Sequence, residues 1–254
     1  MKIQFASDLH LEMQDNSRWL KHNPLPVVGD ILVLAGDIIY LGNEALFRHP
    51  FWDWASQNYR EVLVVHGNHE FYAGFDLQPL QNGWMMEVRP NVHYYYNVCR
   101  QIEDVEFIMT TLWSMIPVQD AFITEQYVSD FRRIKSGGEV IDFARFNEEH
   151  LRCKEFLEQL LSKPKFGYRL VVSHHLPSYA LIDPQFKGSR LNGAFAAELF
   201  DLIADSDIDF WIYGHSHRNI ETKIGSCQCY CNQLGYVAHG EHILFDGGRV
   251  IDLN

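Results

Sequence analysis

The chain has 254 residues, of which 47% are hydrophobic and 21% charged, a composition typical of globular proteins and unlike that of disordered ones. No apolar run is long enough to span a bilayer, and the N-terminal MKIQFASDLH lacks the apolar region and cleavage site of a secretory signal. The net charge of −12, from 33 acidic and 21 basic residues, comes without the basic stripe typical of nucleic-acid-binding proteins. We therefore expect a cytoplasmic protein that binds neither membranes nor nucleic acid.

Apolar runs of strand length recur along the chain and alternate with stretches of helical spacing. The runs are KIQFASD, DILVLAGD, REVLVVHGN, NVHYYYNV, VEFIMTTL, YRLVVSHH, DFWIYGHS and RVIDL. Helices are predicted from Glu44 to Gln57, from 142 to 162 and from Ala194 to Ala204, the second with an apolar stripe. Near-continuous apolar strands between helices predict an α/β fold with covered sheets. We expect one domain over residues 1–254, with an insertion or lid at about 113–140, where no single period fits.

The five cysteines predict reduced thiols, because their number is odd and no disulfide-like spacing is present. Cys227, Cys229 and Cys231 alternate as C-x-C-x-C, which is compatible with a thiolate metal site. Alternation on a strand also lines one face with small, easily buried side chains, and no C-x-x-C pair accompanies them. We interpret the three cysteines as packing residues.

Five of the apolar strands end in metal-binding residue types. The residues that follow them are Asp8 and His10; Asp37; Asn68, His69 and Glu70; His174 and His175; and His215 and His217. Any one of these is compatible with a turn, a helix cap or a core histidine. In an α/β sheet, however, ligands gather beyond the carboxyl ends of the strands, so all five predict one convergent site. Imidazole, carboxylate and amide oxygen suit divalent first-row metals, and the set is large enough for two ions that share a carboxylate.

These motifs resemble the calcineurin-like metallophosphoesterase superfamily. Its blocks D-x-H, G-D, G-N-H-[DE], a histidine after an apolar strand, and G-H-x-H are present here as DLH, GDII, GNHE, SHH and GHSH, spanning residues 8 to 217. The resemblance implies an αββα sandwich of two mixed β-sheets flanked by helices. It does not select a substrate, because the superfamily includes phosphatases, nucleases, phosphodiesterases and pyrophosphatases.

The resemblance also implies roles for individual residues. It assigns Asp8, His10 and His217 to one divalent metal ion (Mn, Fe, Zn or Mg), Asn68, His174 and His215 to a second, and Asp37 to a bridging position. His69 matches the family's catalytic histidine. His175 is left for the surroundings of the ligands or for substrate.

The sequence departs from the family pattern at one position. Some relatives extend the second block to G-D-x-x-D, and the last aspartate orients the catalytic histidine; Tyr40 stands there in this chain. Glu70, the nearest acidic residue in sequence, is one candidate for that task; the alternatives are another group, or a general acid that is used less strictly.

The implied reaction is hydrolysis of a small phosphomonoester or phosphodiester. Two metal ions would bind a shared hydroxide as nucleophile, and His69 would protonate the leaving oxygen as general acid. Loop residues Arg132, Arg133, Arg190 and Asn192 are candidates for substrate contact, or else for surface ion pairs and packing. The alternatives are a nuclease, or a non-catalytic scaffold on the same fold such as a retromer subunit. The sequence leaves the oligomeric state open.

Overall fold

Two six-stranded β-sheets lie face to face at the centre of the fold. A computed structural model describes residues 1–253, apart from the side chains of residues 45 and 46. The first sheet has the strand order β14-β1-β2-β3-β5-β4 and the second β12-β13-β11-β10-β7-β6. In each sheet four parallel strands are flanked by an antiparallel strand at either edge.

The strand bounds are as follows. The first sheet contains β1 (Lys2–Ala6), β2 (Ile31–Leu34), β3 (Glu61–Val65), β4 (Trp84–Arg89), β5 (Val92–Tyr96) and β14 (Val250–Asp252). The second contains β6 (Val98–Ile102), β7 (Val105–Met109), β10 (Tyr168–Val172), β11 (Phe210–Tyr213), β12 (Thr222–Ile224) and β13 (Cys227–Cys231). A two-stranded hairpin is formed by β8 (Lys135–Ser136) and β9 (Glu139–Val140).

Seven helices cover the outer faces and loops of the described chain. They are α1 (Gln14–His22), α2 (Glu44–Phe47), α3 (Pro50–Asn58), α4 (Ala121–Tyr127), α5 (Asp130–Arg133), α6 (Phe143–Leu161) and α7 (Phe200–Ala204). Alternate strand residues face opposite sides: Ile3 and Leu170 meet between the sheets, whereas Leu32 packs toward α3 and Val171 toward α6. The predicted αββα sandwich is confirmed.

The sequence prediction was right for helix α6 and wrong in detail at three other places. Asp142 caps α6 by accepting a hydrogen bond from the Arg145 amide at 2.8 Å. The predicted 44–57 helix is two helices, because Pro50 begins α3 and holds the preceding His49 out of the helical region. The run NVHYYYNV is divided at Asn97, whose φ of 50° turns the chain from β5 in one sheet to β6 in the other.

The predicted Ala194–Ala204 helix is also shorter than expected. Only Phe200–Ala204 forms α7, because Ala196 pairs with Leu176 in a parallel bridge and the Ala197 amide donates to the Leu176 carbonyl at 2.9 Å. Tertiary pairing overrides helical propensity there. In the described residues no helix has the length and apolarity needed to cross a bilayer.

Candidate metal centre

The predicted ligands meet at one edge of the sandwich. Each follows the carboxyl end of a parallel strand, β1, β2 and β3 in the first sheet and β10 and β11 in the second. Two groups consist only of predicted ligands, with ligand atoms within 4.8 Å of one another: Asp8, His10, Asp37 and His217, and Asp37, His174 and His215. Asp37 belongs to both of these groups. A third group within the same distance combines His10 with Glu12 and His69.

The first group is built around two imidazole nitrogens. The Nε2 atoms of His10 and His217 are 3.0 Å apart. Asp8 Oδ1 lies 3.4 Å from His217 Nε2, and Asp37 Oδ2 lies 3.9 Å from His10 Nε2. Four donor atoms thus surround one small space, as a divalent ion requires.

The second group centres on His174. Its Nε2 is 3.1 Å from His215 Nδ1, 3.1 Å from the Asn68 Oδ1 and 3.4 Å from Asp37 Oδ1. The Asn68 amide nitrogen donates to Asp130 Oδ1 at 2.8 Å, which turns the amide oxygen toward the histidines. Asp130 belongs to the 113–140 segment, so this segment forms part of the wall of the centre.

Each of the four histidines has its other ring nitrogen held by an oxygen. Such partners fix the ring and leave the inward nitrogen free to bind a metal. The pairs are His10 Nδ1 with Glu12 at 3.1 Å, His217 Nδ1 with Glu241 at 2.7 Å, His174 Nδ1 with the Ala35 carbonyl at 2.9 Å, and His215 Nε2 with the Ala194 carbonyl at 3.3 Å.

The backbone of the centre is strained. Five of the seven predicted ligands have left-handed φ values between 46° and 77°, namely Asp8, His10, Asp37, His215 and His217. Such conformations are costly for residues other than glycine and persist where the surroundings enforce them. Glycine is required at position 67 of the GNHE block, since a Cβ there would lie 2.1 Å from Asp37 Oδ1.

The carboxylates among the donor groups favour binding of a cation at the centre. Burial opposes protonation of His174, but the carboxylates of Asp37 and Asp8 outweigh it and raise its pKa to about 9. Burial likewise disfavours charge on His217, yet Asp8 and Glu241 raise its pKa to about 10. Because a proton and a metal ion compete for the same ring nitrogen, carboxylates that favour one also favour the other. The donor set of imidazole, carboxylate and amide oxygen therefore suits a divalent metal centre.

His69 lies at the rim of the first group. Its Nε2 is 3.9 Å from Asp37 Oδ2 and 3.3 Å from the hydroxyl of Tyr236. Its Nδ1 is 3.3 Å from Glu12 Oε1, and its ring packs on Tyr72 with centroids 4.3 Å apart. The ring of Tyr40 lies farther away, at 5.9 Å.

Glu70 makes no hydrogen bond to His69 among the described contacts, which favours the other alternative from the sequence, that another group orients His69. The two oxygens of Glu70 accept hydrogen bonds from the backbone amides of Asp37 at 3.0 Å, Ile38 at 2.8 Å and Gly67 at 2.7 Å. Glu70 is fully buried and ties the loop after β2 to the loop after β3. The carboxylate beside Nδ1 of His69 is that of Glu12.

His175 is also fully buried, which favours a place in the surroundings of the ligands over contact with a substrate. Its ring packs against His215 with centroids 4.2 Å apart and against Trp113 at 5.4 Å. Burial and the neighbouring His215 and His174 hold the pKa of His175 well below its usual range. It supports the second group of ligands as a neutral packing residue.

The loop residues predicted as substrate contacts divide into two sets. Arg132 donates to the Gln126 carbonyl at 2.8 Å and Arg190 pairs with Asp120 at 2.6 Å, as the ion-pair and packing alternative expects. Asn192 donates to the Phe186 carbonyl at 3.0 Å. Arg133 lies nearer the centre, with its guanidinium 4.4 Å from the ring centroid of Tyr72.

Four residues near the ligands were missed from the sequence. Glu12 had a usable signal, since it stands two residues after His10 in DLHLE. The other three, Asp130, Tyr236 and Glu241, carry none, because they lie outside the motif blocks and reach the site only through the tertiary fold.

Comparison with known proteins agrees with this arrangement. A family model described as calcineurin-like phosphoesterase matches residues 1–219. Uncharacterized protein L509 of Acanthamoeba polyphaga mimivirus is 26% identical over 262 residues, covering 92% of this chain and 91% of its own. The crystal structure of phosphopantetheinyl hydrolase from Mycobacterium tuberculosis superposes with a TM-score of 0.70 at 14% identity, covering 100% of this chain and 96% of the other, and shows the same fold. The chain belongs to the calcineurin-like phosphoesterase family.

Proposed function

We propose that this protein hydrolyses a small phosphomonoester or phosphodiester with two divalent metal ions, one in each ligand group. The observation that carries the proposal is the position of Asp37, whose Oδ1 faces His174 at 3.4 Å and whose Oδ2 faces His10 at 3.9 Å. One carboxylate that addresses two groups with different oxygens is suited to bridge two ions. Asp8, His10 and His217 complete one set, and Asn68, His174 and His215 the other.

The bound ions, His69 and Glu12 are assigned the separate steps of the reaction. When bound, divalent ions polarise phosphoryl oxygens and lower the pKa of water from 15.7 toward about 7, which supplies the nucleophile. His69 Nε2 faces the first group, so we assign it the protonation of the leaving oxygen. Glu12 accepts a hydrogen bond from His69 Nδ1, which directs Nε2 toward the substrate.

The charge of the protein is compatible with an anionic substrate under this proposal. The net charge of −12 is spread over the chain, whereas two divalent ions would place four positive charges at the point of contact. Mn²⁺, Fe²⁺, Zn²⁺ and Mg²⁺ are the candidate ions, because mixed nitrogen and oxygen ligands accept all of them to different degrees.

The test combines metal analysis with turnover. The purified protein is loaded separately with each of the four ions, its metal content is measured, and hydrolysis is followed on a panel of alkyl and nitrophenyl mono- and diesters. Two ions per chain and turnover with at least one metal support the proposal. A single ion, or full loading without turnover of any ester, contradicts it and favours the non-catalytic scaffold.

A further inference from the structure

A small cavity lies beside the loop that carries His215 and His217. It has a volume of about 220 Å³, and its lining includes Leu176, Ile182, Phe186, Leu191, Phe195 and Arg218. Most of these residues come from the segment between β10 and α7, whereas Arg218 directly follows His217. The motif blocks assign nothing to this cavity.

The cavity is separated from the metal centre by one aromatic ring. Phe195, which lines it, stacks on His215 with ring centroids 4.8 Å apart and planes inclined by 27°. Ser216, which also lines it, stands in sequence between the two histidines. A group attached to a phosphoryl held at His215 is therefore within short reach of the cavity.

The walls are mainly apolar and carry one buried donor nitrogen that makes no hydrogen bond. Arg218 forms an ion pair with Asp183, which also lines the cavity, but its buried Nε lies 3.6 Å from Asp183 Oδ2, beyond hydrogen-bond distance, and has no hydrogen-bond partner among the described residues. The guanidinium lies 5.9 Å from the ring centroid of Phe186. A buried donor without a partner is costly, so an acceptor on a bound molecule would be favoured there.

We propose that this cavity binds the organic substituent of the phosphoester, and that the preferred substituent is a flat, mainly apolar ring system with one hydrogen-bond acceptor. Its volume is below the roughly 300–1,000 Å³ of pockets that hold whole drug-sized ligands, so one or two fused rings fill it. Apolar walls select the ring, and Arg218 selects the acceptor. This inference rests on the proposed function.

The first experiment compares esters whose leaving alcohols have similar acidity. They are the phosphates of ethanol, hexanol, 2-naphthylethanol and 2-quinolinylethanol, with their methyl diesters, and kcat/KM is measured for each. We expect the naphthyl ester to exceed the ethyl ester at least tenfold, and the quinolinyl ester to exceed the naphthyl ester, since only quinoline carries a ring acceptor. Aryl and ethyl esters within threefold of one another overturn the proposal.

Variants locate the effect in the cavity. Ser189→Trp, at an exposed lining position, should fill the space and lower the aryl-to-ethyl ratio at least fivefold. Ser162→Trp, an equally exposed serine after α6, is the matched control and should leave the ratio unchanged. Arg218→Met keeps an apolar chain of similar length and should abolish the difference between quinolinyl and naphthyl esters. An unchanged ratio in Ser189→Trp assigns the preference to another place and overturns the proposal.

Binding measurements separate this inference from the proposed function. The non-hydrolysable 2-naphthylethyl and ethyl phosphonates are titrated calorimetrically into the metal-loaded protein and its Ser189→Trp variant. If no ester is turned over, tighter binding of the naphthyl compound by at least tenfold, lost in the variant, still supports the cavity as the binding site of the ring. Equal binding of the two phosphonates overturns it whatever the outcome of the activity assay.

Discussion

Glu12 Oε1 lies 3.3 Å from Nδ1 of His69. In relatives with the longer G-D-x-x-D motif, an aspartate side chain orients the corresponding histidine. Glu12 Oε1 is also 3.1 Å from His10 Nδ1, and the Glu12 side chain is only 3% exposed. Tyr40, which occupies the aspartate position in sequence, packs beside His69 through its ring. A carboxylate from the first motif loop thus lies beside the histidine that, in some relatives, an aspartate of the second motif orients.

Replacing Glu12 by glutamine should impair proton donation by His69 more than it weakens metal binding through His10. The amide keeps the size of the side chain but loses the charge that holds Nδ1–H, and loss of such a partner typically costs about 10–100-fold. We expect the rate on alkyl phosphoesters to fall by about this factor and the rate on nitrophenyl esters to fall less, because nitrophenolate leaves without a proton. Hydrolysis rates of both esters, with metal content measured in parallel, check this.

Glu241→Gln provides the matched control for Glu12→Gln. Glu241 holds His217 Nδ1 at 2.7 Å, as Glu12 holds His10, but no hydrogen bond to His69 is present among its described contacts. Its loss should weaken metal binding and lower the rates on both esters equally. A Glu12→Gln variant that behaves in the same way would make Glu12 a support for His10 alone.

Asp37→Ala should remove more metal than any other single ligand change. It takes one oxygen from each group, so both proposed ions become under-coordinated. We expect metal affinity to fall by more than the approximately 10–100-fold typical of outer partners, with less than one ion retained per chain. Elemental analysis after dialysis measures this, with the exposed Asp15→Ala as control. Retention of two ions in Asp37→Ala would remove Asp37 from the centre.

Glu70→Gln should lower the stability of the fold and should not change how the hydrolysis rate depends on the leaving group. The substitution replaces one carboxylate oxygen by an NH2 group that cannot accept, so either the Ile38 amide or the amides of Asp37 and Gly67 lose their acceptor. A buried backbone amide that loses its hydrogen-bond partner costs about 1–3 kcal/mol, which lowers Tm by several degrees in a chain of this size. Thermal unfolding beside the exposed control Glu87→Gln checks the prediction. An unchanged Tm with a defect confined to alkyl esters would restore the interpretation that Glu70 serves His69.

The sequence alone could place the ligands but not their supports. Asp8, Asp37 and His215 follow apolar strands directly, so strand pattern and motif order were enough to bring them to one edge. Glu12 and His69 are 57 residues apart, and Asn68 and Asp130 are 62 apart, so their contacts depend on how the loops fold over the sheet. The division of the 44–57 helix was within reach of the sequence, because Pro50 is a strong local signal.

Cys227, Cys229 and Cys231 should not bind metal. All three side chains are buried on one face of β13, where they pack with Trp211 and Ile224 in an apolar cluster. A thiolate there would be buried and without a solvating neighbour. The Tyr213 hydroxyl and the Cys229 thiol lie nearby, but neither is a cationic partner. After mutation of the seven proposed ligands, zinc content should fall to background. One zinc retained per chain would identify the cysteines as a second metal site.

Replacing His69 by asparagine should separate proton donation from metal binding. His69 Nε2 faces the first ligand group, but its side chain is not needed to complete either group of metal donors, so both ions should remain. An alkoxide, whose conjugate acid has a pKa far above 7, leaves poorly unless it is protonated as the bond breaks, and general acids contribute about 10²–10⁴-fold in such steps. We therefore expect a loss of this size on alkyl phosphoesters and a much smaller loss on nitrophenyl esters.

Because Glu12 acts through His69, adding Glu12→Gln to His69→Asn should lower the alkyl rate little further, apart from any loss of metal through His10. Equal losses on the two ester types in His69→Asn would instead make this histidine a residue that positions the substrate or tunes the metals.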